Sequence, residues 1–436
     1  MKVVNPYSQE SIEVEETLAV ESVFDSAREQ LEAWLVKSVA ERVRMLRGAL
    51  EKFLIQADAL ARLISEEMGK PLSQAKLEIE RSIEEWGYML DNAERFLAPE
   101  VVGSAEVHFA PLGVVAVISP WNFPCLLPLR GIVPALLAGN SVLFKPSELS
   151  PRVGMCVANC MHGVAPLVVA IGGKELGAKI VSLPVAAIAF TGSTSVGKAI
   201  AREASQTMKR VVLELGGLDA AIVLSDADIQ TAAQEIVRSN SRNSGQVCNA
   251  VKRVLVHESV YEKCLEEALN AAQGLTYGDP LDPSTDIGPL VSEQQRDRVK
   301  GFLDDALAKG AKSYSRSVPD RGFFFPQTIL THLAKDSQLL FEEPFGPLLP
   351  ILPFSTEQEA VQVANNTRFG LTASVWTRDA SAMKRIAGKL DVGMVRHNSH
   401  TAMSSGIPWG GCKESGIGRM KTKEGLREFT TVKVIA

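Results

Sequence analysis

The chain has few cysteines and no excess of basic residues. Its 436 residues include six cysteines, and 46 Lys and Arg against 51 Asp and Glu give a net charge of −5. So few cysteines, at no recognisable spacing, argue against a disulfide framework and favour a reducing compartment. The small negative charge supplies no general attraction for nucleic acid or an acidic membrane surface, so we expect neither as a partner.

Segments for export or for crossing a membrane are also lacking. The start, MKVVNPYSQES, has no apolar core of the kind that a secretory signal needs, and we expect a cytoplasmic protein. The run from Phe109 to Leu129 carries no charged residue and is long enough to span a bilayer. Prolines interrupt this run at Pro111, Pro120, Pro124 and Pro128. Because proline breaks the continuous helix that lipid requires, we interpret the run as buried strand and loop.

Residues that bind metals occur in two short groups. Cys156, Cys160 and His162 form the first group, and His397 and His400 form the second. Neither group has a partner pair at zinc-finger spacing, and small buried cysteines are common in protein cores. We therefore predict no metal site.

A phosphate-loop pattern is present only in part. The segment from Gly192 to Lys198 matches G-x-x-x-x-G-K, but Ala199 stands where the full motif has a Ser or Thr that ligates magnesium. This weakens the hypothesis of a P-loop ATPase. What remains is a strand-like run, a turn of small residues and a helix start, where free N–H groups and the helix dipole attract a phosphate.

Hydrophobic periodicity divides the chain into two regions. Residues 21–95 have apolar side chains at helical spacing, which predicts three helical segments, the second spanning 39–69. From Gly113 onward, short β-branched runs alternate with helix-compatible stretches, a pattern typical of an α/β fold with parallel strands. The first set of runs is GVVAVISP, NSVLFKP, APLVVAI, AAIAF and VVLEL, and the second is AAIVL, KRVLVH, ASVWT and GMVRHN. We predict a doubly wound sheet, with ligands at the carboxyl ends of its strands, and a second α/β unit.

Four loops carry side chains suited to chemistry. Asn122 lies in ISPWNFP just past a predicted strand, and its amide can donate to a developing oxyanion without ionising. Glu214 follows a buried strand, Cys248 follows a glycine-containing loop, and Glu343 and Phe345 lie at a rigid bend. Each loop alone has an ordinary explanation, because buried cysteines usually act as small hydrophobes and strand-end glutamates are usually solvated.

The order of these motifs along the chain is that of a known family. PWNFP, LLAGNSVLFKPSE, FTGSTSVGK, ELGG, NSGQVC, EEPFGP and WGGCKESGIGR follow one another from Pro120 to Arg419. The chain thus resembles the aldehyde dehydrogenase superfamily, most closely the NAD(P)-dependent succinate-semialdehyde dehydrogenases. The resemblance implies a dinucleotide-binding domain of residues 1–97 and 112–216, a catalytic domain of 217–420 and a short oligomerisation arm of 98–111 and 421–436.

The resemblance implies that an aldehyde is oxidised through a covalent adduct. Cys248 would attack the carbonyl carbon, and the Asn122 amide and the Cys248 backbone N–H would hold the oxyanion. After hydride transfer to the nicotinamide, Glu214 would activate the water that hydrolyses the thioester. A free cysteine is only a few per cent thiolate at neutral pH, so the site must lower its pKa or supply a base. Glu214 needs a pKa that burial raises towards the working pH.

The cofactor implied by the resemblance is NAD, with NADP as the alternative. Gly192 and Ser193 would contact the pyrophosphate, although no G-x-G-x-x-G fingerprint stands between a strand and a helix. Lys145 and Glu148 match the positions that hold the adenosine ribose. Because an acidic side chain there bonds the 2′-OH and repels a 2′-phosphate, we expect a preference for NAD. The other implied cofactor positions are Trp121, Ser147, Gly216, Glu343 at the nicotinamide ribose and Phe345 beside the ring.

Two arginines bear on the choice of aldehyde. Arg130 and Arg242 match arginines of the succinate-semialdehyde branch, and two guanidiniums could clamp a distal carboxylate bidentately. The hydroxyls of Ser404 and Ser405 would add contacts, and Trp409 replaces the more usual phenylalanine and would narrow the tunnel. Arg130 fits a pair with a carboxylate on a neighbouring helix equally well. A broad-specificity aldehyde dehydrogenase therefore stays open as an alternative. The stretch from Met161 to Gly173, which is shorter than the resemblance implies, also leaves open a catalytically weak cofactor-binding relative.

The resemblance also implies assembly. In the family the arm pairs with the terminal strand of another subunit, here EFTTVKVI. We expect a homodimer or a homotetramer whose substrate is a small-molecule aldehyde.

Overall fold

The helices and strands are taken from a computed structural model, which describes residues 1–401 and 404–436. The helices are α1 Val20–Leu35, α2 Val39–Ile55, α3 Ala57–Met68, α4 Leu72–Leu97, α5 Leu126–Leu137, α6 Pro151–Met161, α7 Lys174–Ser182, α8 Thr194–Ser205, α9 Ile229–Ser241, α10 Tyr261–Gln273, α11 Glu293–Ala308, α12 Glu357–Asn365, α13 Ala380–Ala387 and α14 Thr422–Arg427. The strands are β1 Lys2–Val4, β2 Ser11–Glu13, β3 Glu100–Val102, β4 Ala105–Pro111, β5 Val114–Ile118, β6 Ser141–Lys145, β7 Leu167–Val169, β8 Ala187–Thr191, β9 Arg210–Glu214, β10 Asp219–Val223, β11 Val251–His257, β12 Lys312–Tyr314, β13 Thr328–Thr331, β14 Leu348–Phe354, β15 Phe369–Gly370, β16 Thr372–Trp376, β17 Met394–His397, β18 Cys412–Lys413, β19 Gly416–Ile417 and β20 Thr430–Ile435.

The helical region before the first large sheet differs from prediction at one point. Residues 39–69 form two helices, because the chain turns at Gln56, whose φ of −95° and ψ of 3° leave the helical region. A capping box between Ser38 and Glu41 starts α2, and Gly69, with a φ of 75°, ends α3. The turn lets α2 and α3 pack separately against α4 and α6.

The first large sheet is doubly wound, as predicted. Its strand order is β19-β9-β8-β5-β6-β7, and all pairs are parallel except that of β19 with β9. The chain leaves β5 towards β6 and β7 on one side and then returns to β8 and β9 on the other. The switch point therefore lies between β5 and β8, and a crevice for a ligand is expected outside their carboxyl ends.

The second large sheet has the order β12-β13-β14-β11-β10-β16-β17 and is parallel from β13 to β17. The turn at Gly216 and Gly217 joins β9 of the first sheet to β10 of the second. The loop that carries Cys248 precedes β11, so it enters the second sheet from the amino ends of its strands. The predicted domain boundary at 216/217 falls on this turn, and the division into domains stays a prediction.

The charge-free run from Phe109 to Leu129 contains a helix start, so the interpretation as strand and loop alone is wrong. The run covers the end of β4, all of β5 and a loop, and α5 begins at Leu126. The Glu78 carboxylate accepts the N–H groups of Cys125 and Leu126 at 2.9 and 3.1 Å, which satisfies the first turn of the helix. Within the described residues, no helix is both long and apolar enough to cross a membrane.

The predicted arm is a small antiparallel sheet with the order β20-β4-β3. Strand β20 pairs with β4 of the same chain, from Thr430 opposite Pro111 to Ile435 opposite Glu106. Strand β3 occupies the other edge of β4, so the terminal strand completes the arm within its own chain, and its pairing with the arm of another subunit stays a prediction. Strands β3 and β20 are the two edge strands of this sheet.

Candidate active site

The loops that follow β5, β8 and β9 meet in a cleft of about 490 Å³ at the switch point of the first sheet. Predicted residues from both halves of the chain line this cleft: Trp121, Asn122, Gly192, Ser193, Gly216, Cys248, Glu343 and Phe345. The structure therefore brings the candidate nucleophile and oxyanion donor into the same cavity as the predicted pyrophosphate and nicotinamide positions.

Helix α8 points its amino terminus into this cleft. Ser193 is its N-cap residue and makes no side-chain capping bond, and Ser193, Thr194 and Ser195 all line the cavity. The uncapped N–H groups and the helix dipole favour an anion at this end. Lys198 binds the Glu414 carboxylate at 2.5 Å, an ion pair to the WGGCKESGIGR segment.

The loop before Cys248 has an unusual backbone. The φ angles are 49° at Asn243, 55° at Ser244 and 75° at Gly245. This left-handed backbone conformation is unfavourable for residues other than glycine. Asn243 N–H donates to Gln74 Oε1 at 2.7 Å, and Ser244 Oγ donates to Gly288 O at 2.8 Å. A Cβ at Gly245 would overlap the backbone of Gly346. Bonds to distant segments thus hold this loop in a strained shape, which is typical of functional sites.

The candidate oxyanion donors lie beside this loop. Asn122 is buried, and its Nδ2 donates to Gln246 O at 3.0 Å, which leaves its second amide hydrogen available. Among the described residues, no acceptor bonds the backbone N–H of Cys248. The diglycine turn also approaches closely, because a Cβ at Gly217 would lie 2.7 Å from Cys248 O.

The protein environment does not by itself make Cys248 a thiolate. Burial raises the pKa of the Cys248 thiol to about 12, and the charge of Lys252 opposes this rise while Glu343 and Glu214 add to it. The Lys252 ammonium donates to Cys248 O at 2.6 Å, so it also fixes the backbone of the nucleophile. Of the two sequence-based alternatives, the surrounding residues favour supply of a base over a lowered pKa.

Glu214 has the properties of such a base. Its side chain is 3% exposed, and its Oε1 has no hydrogen-bond partner among the described residues. Burial raises the pKa of Glu214 to about 8, against the opposing effects of Arg130, Trp409 and Arg419. A carboxyl group with this pKa exchanges protons near neutral pH, which suits general base catalysis.

At the other side of the cleft, Glu343 is fixed by the second sheet. Its Oε1 lies 3.1 Å from the Lys252 ammonium and accepts the Gly217 N–H at 3.3 Å. The ring of Phe345 meets that of Trp121 edge to face, with centroids 5.6 Å apart. A Cβ at Gly216 would overlap the Glu343 carboxylate, so the glycine leaves room for this acid at the cleft wall.

The predicted ribose positions lie at the end of β6 and just beyond it, and they do not line the same cavity. Lys145 is buried, donates to Pro146 O at 3.1 Å and lies 3.5 Å from the half-exposed Glu148 carboxylate. Ser147 accepts the Leu149 N–H at 3.2 Å. Because β5 and β6 are neighbours in the sheet, these side chains extend the line of the cleft beyond the loop of Trp121.

Arg130, Ser405 and Trp409 lie near one another, and none of the three lines the cleft that holds Cys248. Arg130 makes a bidentate pair with Glu85 on α4, both bonds being 2.7 Å, so its guanidinium is committed to the neighbouring helix. Ser405 donates to Glu84 at 2.7 Å, and the Ser404 carbonyl accepts from Lys421 at 2.9 Å. Trp409 is buried 5.8 Å from the Arg130 guanidinium.

Arg242 is placed differently. Its guanidinium lies 5.6 Å from the Phe123 ring, and its buried Nε has no hydrogen-bond partner among the described residues. Burial, followed by the charge of Arg81, lowers the pKa of Arg242 to about 10, while Cys248 acts in the opposite direction. It is therefore a cation at neutral pH, near the nucleophile, with an unsatisfied donor.

The cysteines and histidines considered as metal ligands have other contacts. The Cys160 thiol donates to Cys156 O at 3.3 Å, and His400 is buried between Ser374 Oγ and Asn249 O at 2.9 and 3.0 Å. In the part of the chain that the structure describes, no group of three or more His, Cys, Asp or Glu side chains is placed to hold a metal.

Several residues of the site were not predicted from the sequence. Lys252 ties Glu343 to Cys248, and Gln246 connects the Asn122 amide to the nucleophile loop. The signal for Lys252 was its place in KRVLVH, since a cation in a buried strand needs partners. Other residues that line the cleft and had no predicted role include Leu127, Gln295, Arg298, Glu342, Arg368 and Phe369.

Comparisons with known proteins agree with this site. The model of the aldehyde dehydrogenase family matches residues 1–435. An aldehyde dehydrogenase of Paenarthrobacter nicotinovorans is 37% identical over 91% of this chain and 90% of its own length. Succinate-semialdehyde dehydrogenase [NADP(+)] 1 of Mycobacterium bovis (strain BCG / Pasteur 1173P2) is 36% identical over the same shares, 91% and 90%.

Solved structures give the same result. A crystal structure of an E. coli NADP dependent enzyme superposes with a TM-score of 0.96 at 33% identity and covers 100% of this chain and 94% of its own. A structure of lactaldehyde dehydrogenase has a TM-score of 0.96 at 30% identity and covers 100% and 95%. Motifs, fold and comparisons lead to one conclusion: the chain belongs to the aldehyde dehydrogenase family and is an oxidoreductase that acts on aldehydes with NAD(P).

Proposed function

We propose that the aldehyde oxidised by this enzyme carries a carboxylate at its far end, as succinate semialdehyde does. The observation that carries the proposal is the buried, unpartnered Nε of Arg242 near Cys248. A substrate carboxylate would supply the missing acceptor and offset the positive charges that surround this guanidinium. The name of the mycobacterial relative supports the same substrate class.

The proposed clamp rests on Arg242 rather than on two free arginines. Arg130 already holds Glu85, and Lys421 lies 3.4 Å from the same carboxylate. In this proposal Arg130 packs beside Trp409 as part of the protein structure, and Arg242 contacts the distal carboxylate of the substrate.

We assign the chemical roles as follows. Glu214 takes the proton of the Cys248 thiol, and the thiolate attacks the aldehyde carbon. The Asn122 amide and the Cys248 N–H stabilise the negative charge on the aldehyde oxygen. Bound NAD(P) supplies the hydride acceptor. After the hydride has left, Glu214 loses the thiol proton to solvent and can act as a base again. It removes a proton from the water that attacks the thioester carbon, and that proton passes to the Cys248 sulfur as the carboxylic acid leaves, which restores the thiol.

The cleft fits a dinucleotide by its own features. The uncapped start of α8 offers N–H groups to a pyrophosphate, and the Trp121 and Phe345 rings offer flat surfaces at the end that holds Cys248. Lys145, Ser147 and Glu148 would hold the adenosine ribose. Because Glu148 places a carboxylate there, we propose that NAD is used in preference to NADP.

Matched aldehydes test the substrate proposal. Succinate semialdehyde and butanal have the same number of carbons and differ in the distal carboxylate. We expect Arg242→Ala to raise KM for succinate semialdehyde at least tenfold and to leave KM for butanal within about threefold, as one charged hydrogen bond contributes about 1.5–3 kcal/mol. Arg238→Ala is the control, because Arg238 is exposed in the last turn of α9, which ends just before Arg242, and it pairs there with Glu235. Equal losses for both aldehydes would favour a broad-specificity enzyme.

We also propose that the chain assembles as a homodimer or a homotetramer through the arm. Val101, Val102, Val432 and Val434 are exposed on β3 and β20, which is unusual for so many large apolar side chains in one small sheet. A second copy of the chain would cover them. Light scattering should show a smaller particle for Val102→Asp/Val434→Asp than for the natural sequence, and an unchanged mass would exclude the arm as the interface.

A further inference from the structure

A buried ion pair lies behind the candidate oxyanion donor, outside the cleft itself. Lys70, between α3 and α4, and Glu78, on α4, have side chains that are 1% and 0% exposed. Besides Glu78, the Lys70 ammonium donates to the backbone oxygen of Asn122 at 2.7 Å and lies 3.9 Å above the Phe123 ring. Of the residues in these contacts, Asn122 lines the cleft, whereas Lys70, Glu78 and Phe123 do not.

Glu78 extends the same support along the chain. Its Oε1 accepts the N–H groups of Cys125 and Leu126, while its Oε2 binds Lys70. One pair of side chains therefore fixes the backbone from Asn122 to the first turn of α5. Charged hydrogen bonds in a buried site are short and directional, so they constrain position more tightly than apolar packing does.

The Asn122 backbone has little other support on this side. Its carbonyl accepts one further bond, from Asn243 Nδ2 at 3.2 Å, and its side-chain amide donates to Gln246 O. Asn243 and Gln246 both belong to the loop that precedes Cys248. The hydrogen bond from Lys70 to Asn122 O therefore holds Asn122 independently of the loop that precedes Cys248.

Stability alone does not account for such a pair. Removing two charges from water is costly, and apolar side chains of similar volume often replace a buried pair with no loss of stability. A requirement for position explains its presence. We infer that Lys70 and Glu78 are positioning residues, which set where the Asn122 amide stands relative to Cys248. This inference rests on the proposed role of Asn122 as an oxyanion donor.

A double-mutant cycle tests the inference. The variant Lys70→Met/Glu78→Gln leaves no unpaired charge, and the Gln carbonyl can still accept the N–H groups of Cys125 and Leu126. It removes the bond to Asn122 O. Loss of one oxyanion donor reduces rate about 100- to 1,000-fold. A misplaced donor should therefore reduce kcat about 10- to 100-fold, with KM changed less than about threefold.

The result in the Asn122→Ala background decides between position and general damage. If the pair acts through Asn122, the double variant causes less than a twofold further loss there. A loss of the same size in both backgrounds would overturn the inference, and so would an unchanged kcat in the natural background. Arg47→Gln is the control, since Arg47 forms an exposed pair with Asp91 between α2 and the same helix α4. It should leave kcat unchanged.

Two additions keep the test decisive. If Lys70→Met/Glu78→Gln does not fold, judged by thermal melting, Lys70→Gln/Glu78→Gln enters the same cycle. The amide of a glutamine at position 70 is one bond too short to replace the Lys70 ammonium, but it can still bond the glutamine at position 78. The same outcomes in the natural and Asn122→Ala backgrounds support or overturn the inference. Acylation of Cys248 by p-nitrophenyl acetate needs no aldehyde and no cofactor. If the natural protein oxidises no aldehyde, the proposed function fails. The rate at which p-nitrophenyl acetate acylates Cys248, compared among the same variants, then still supports or overturns the positioning role of Lys70 and Glu78.

Discussion

The clearest perturbation of this site is a change of pH, because the base that the mechanism needs has a displaced pKa. Burial raises the pKa of Glu214 to about 8. A carboxyl group with that pKa is about one-tenth ionised at pH 7 and about nine-tenths ionised at pH 9. If hydrolysis of the thioester limits turnover, kcat should rise about tenfold between these values and level off above pH 9.

The assay is NADH formation at saturating aldehyde, measured from pH 6 to pH 10. Glu214→Gln should still form about one NADH per site, but more slowly than the natural enzyme because the base for the Cys248 thiol is lost. It should then stall, since glutamine cannot activate water. A kcat that stays constant from pH 6 to pH 10, as expected for a carboxylate with the ordinary pKa of 4.5, or a Glu214→Gln variant with natural turnover after the burst, would refute the role given to this carboxylate.

The same displaced pKa makes a prediction about stability. The folded chain holds the Glu214 proton more tightly than the unfolded chain, so stability from this group is present below about pH 4.5 and is lost as pH rises through about 8. Glu214→Gln should therefore raise Tm relative to the natural sequence at pH 9, and the difference should shrink at pH 5. A constant difference across this range would show that the pKa of Glu214 is not displaced.

Two further substitutions probe the strained loop and the cofactor. Gly245→Ala should lower the free energy of unfolding by more than about 2 kcal/mol, because φ is 75° and a Cβ would overlap Gly346. Thermal melting measures this loss. The control is Gly48→Ala, in an open position of α2, which should be neutral or stabilising. Glu148→Gln should increase kcat/KM for NADP relative to NAD at least fivefold, since it removes a carboxylate that repels a 2′-phosphate; an unchanged ratio would place the 2′ position elsewhere.

The sequence predicted the parts of the fold that follow local patterns. Short β-branched runs marked β5, β6, β8 and β10, and the family motifs marked the loops of the cleft. Strand β14 was not predicted, because Pro350 and Pro353 interrupt it and proline is usually absent from central strands. The break at Gln56 was not visible either, since the apolar spacing continues through it.

Contacts between distant segments could not be predicted from local patterns. Nothing in the spacing shows that Arg130 binds Glu85 or that Lys70 reaches the backbone of Asn122. Those partners depend on how α3, α4 and α5 pack, which is set by the whole core. The pKa of Cys248 is a second example, because burial decides it and the motif NSGQVC does not.

The central claim is that Cys248 carries the acyl group during turnover. Glu214→Gln should be mixed with succinate semialdehyde and NAD, quenched in acid, digested and examined by mass spectrometry. We predict a succinyl thioester on the peptide that contains Cys248, in about equal amount to the NADH of the burst. An unmodified Cys248 peptide after a full burst, or turnover that survives in Cys248→Ser, would contradict the account.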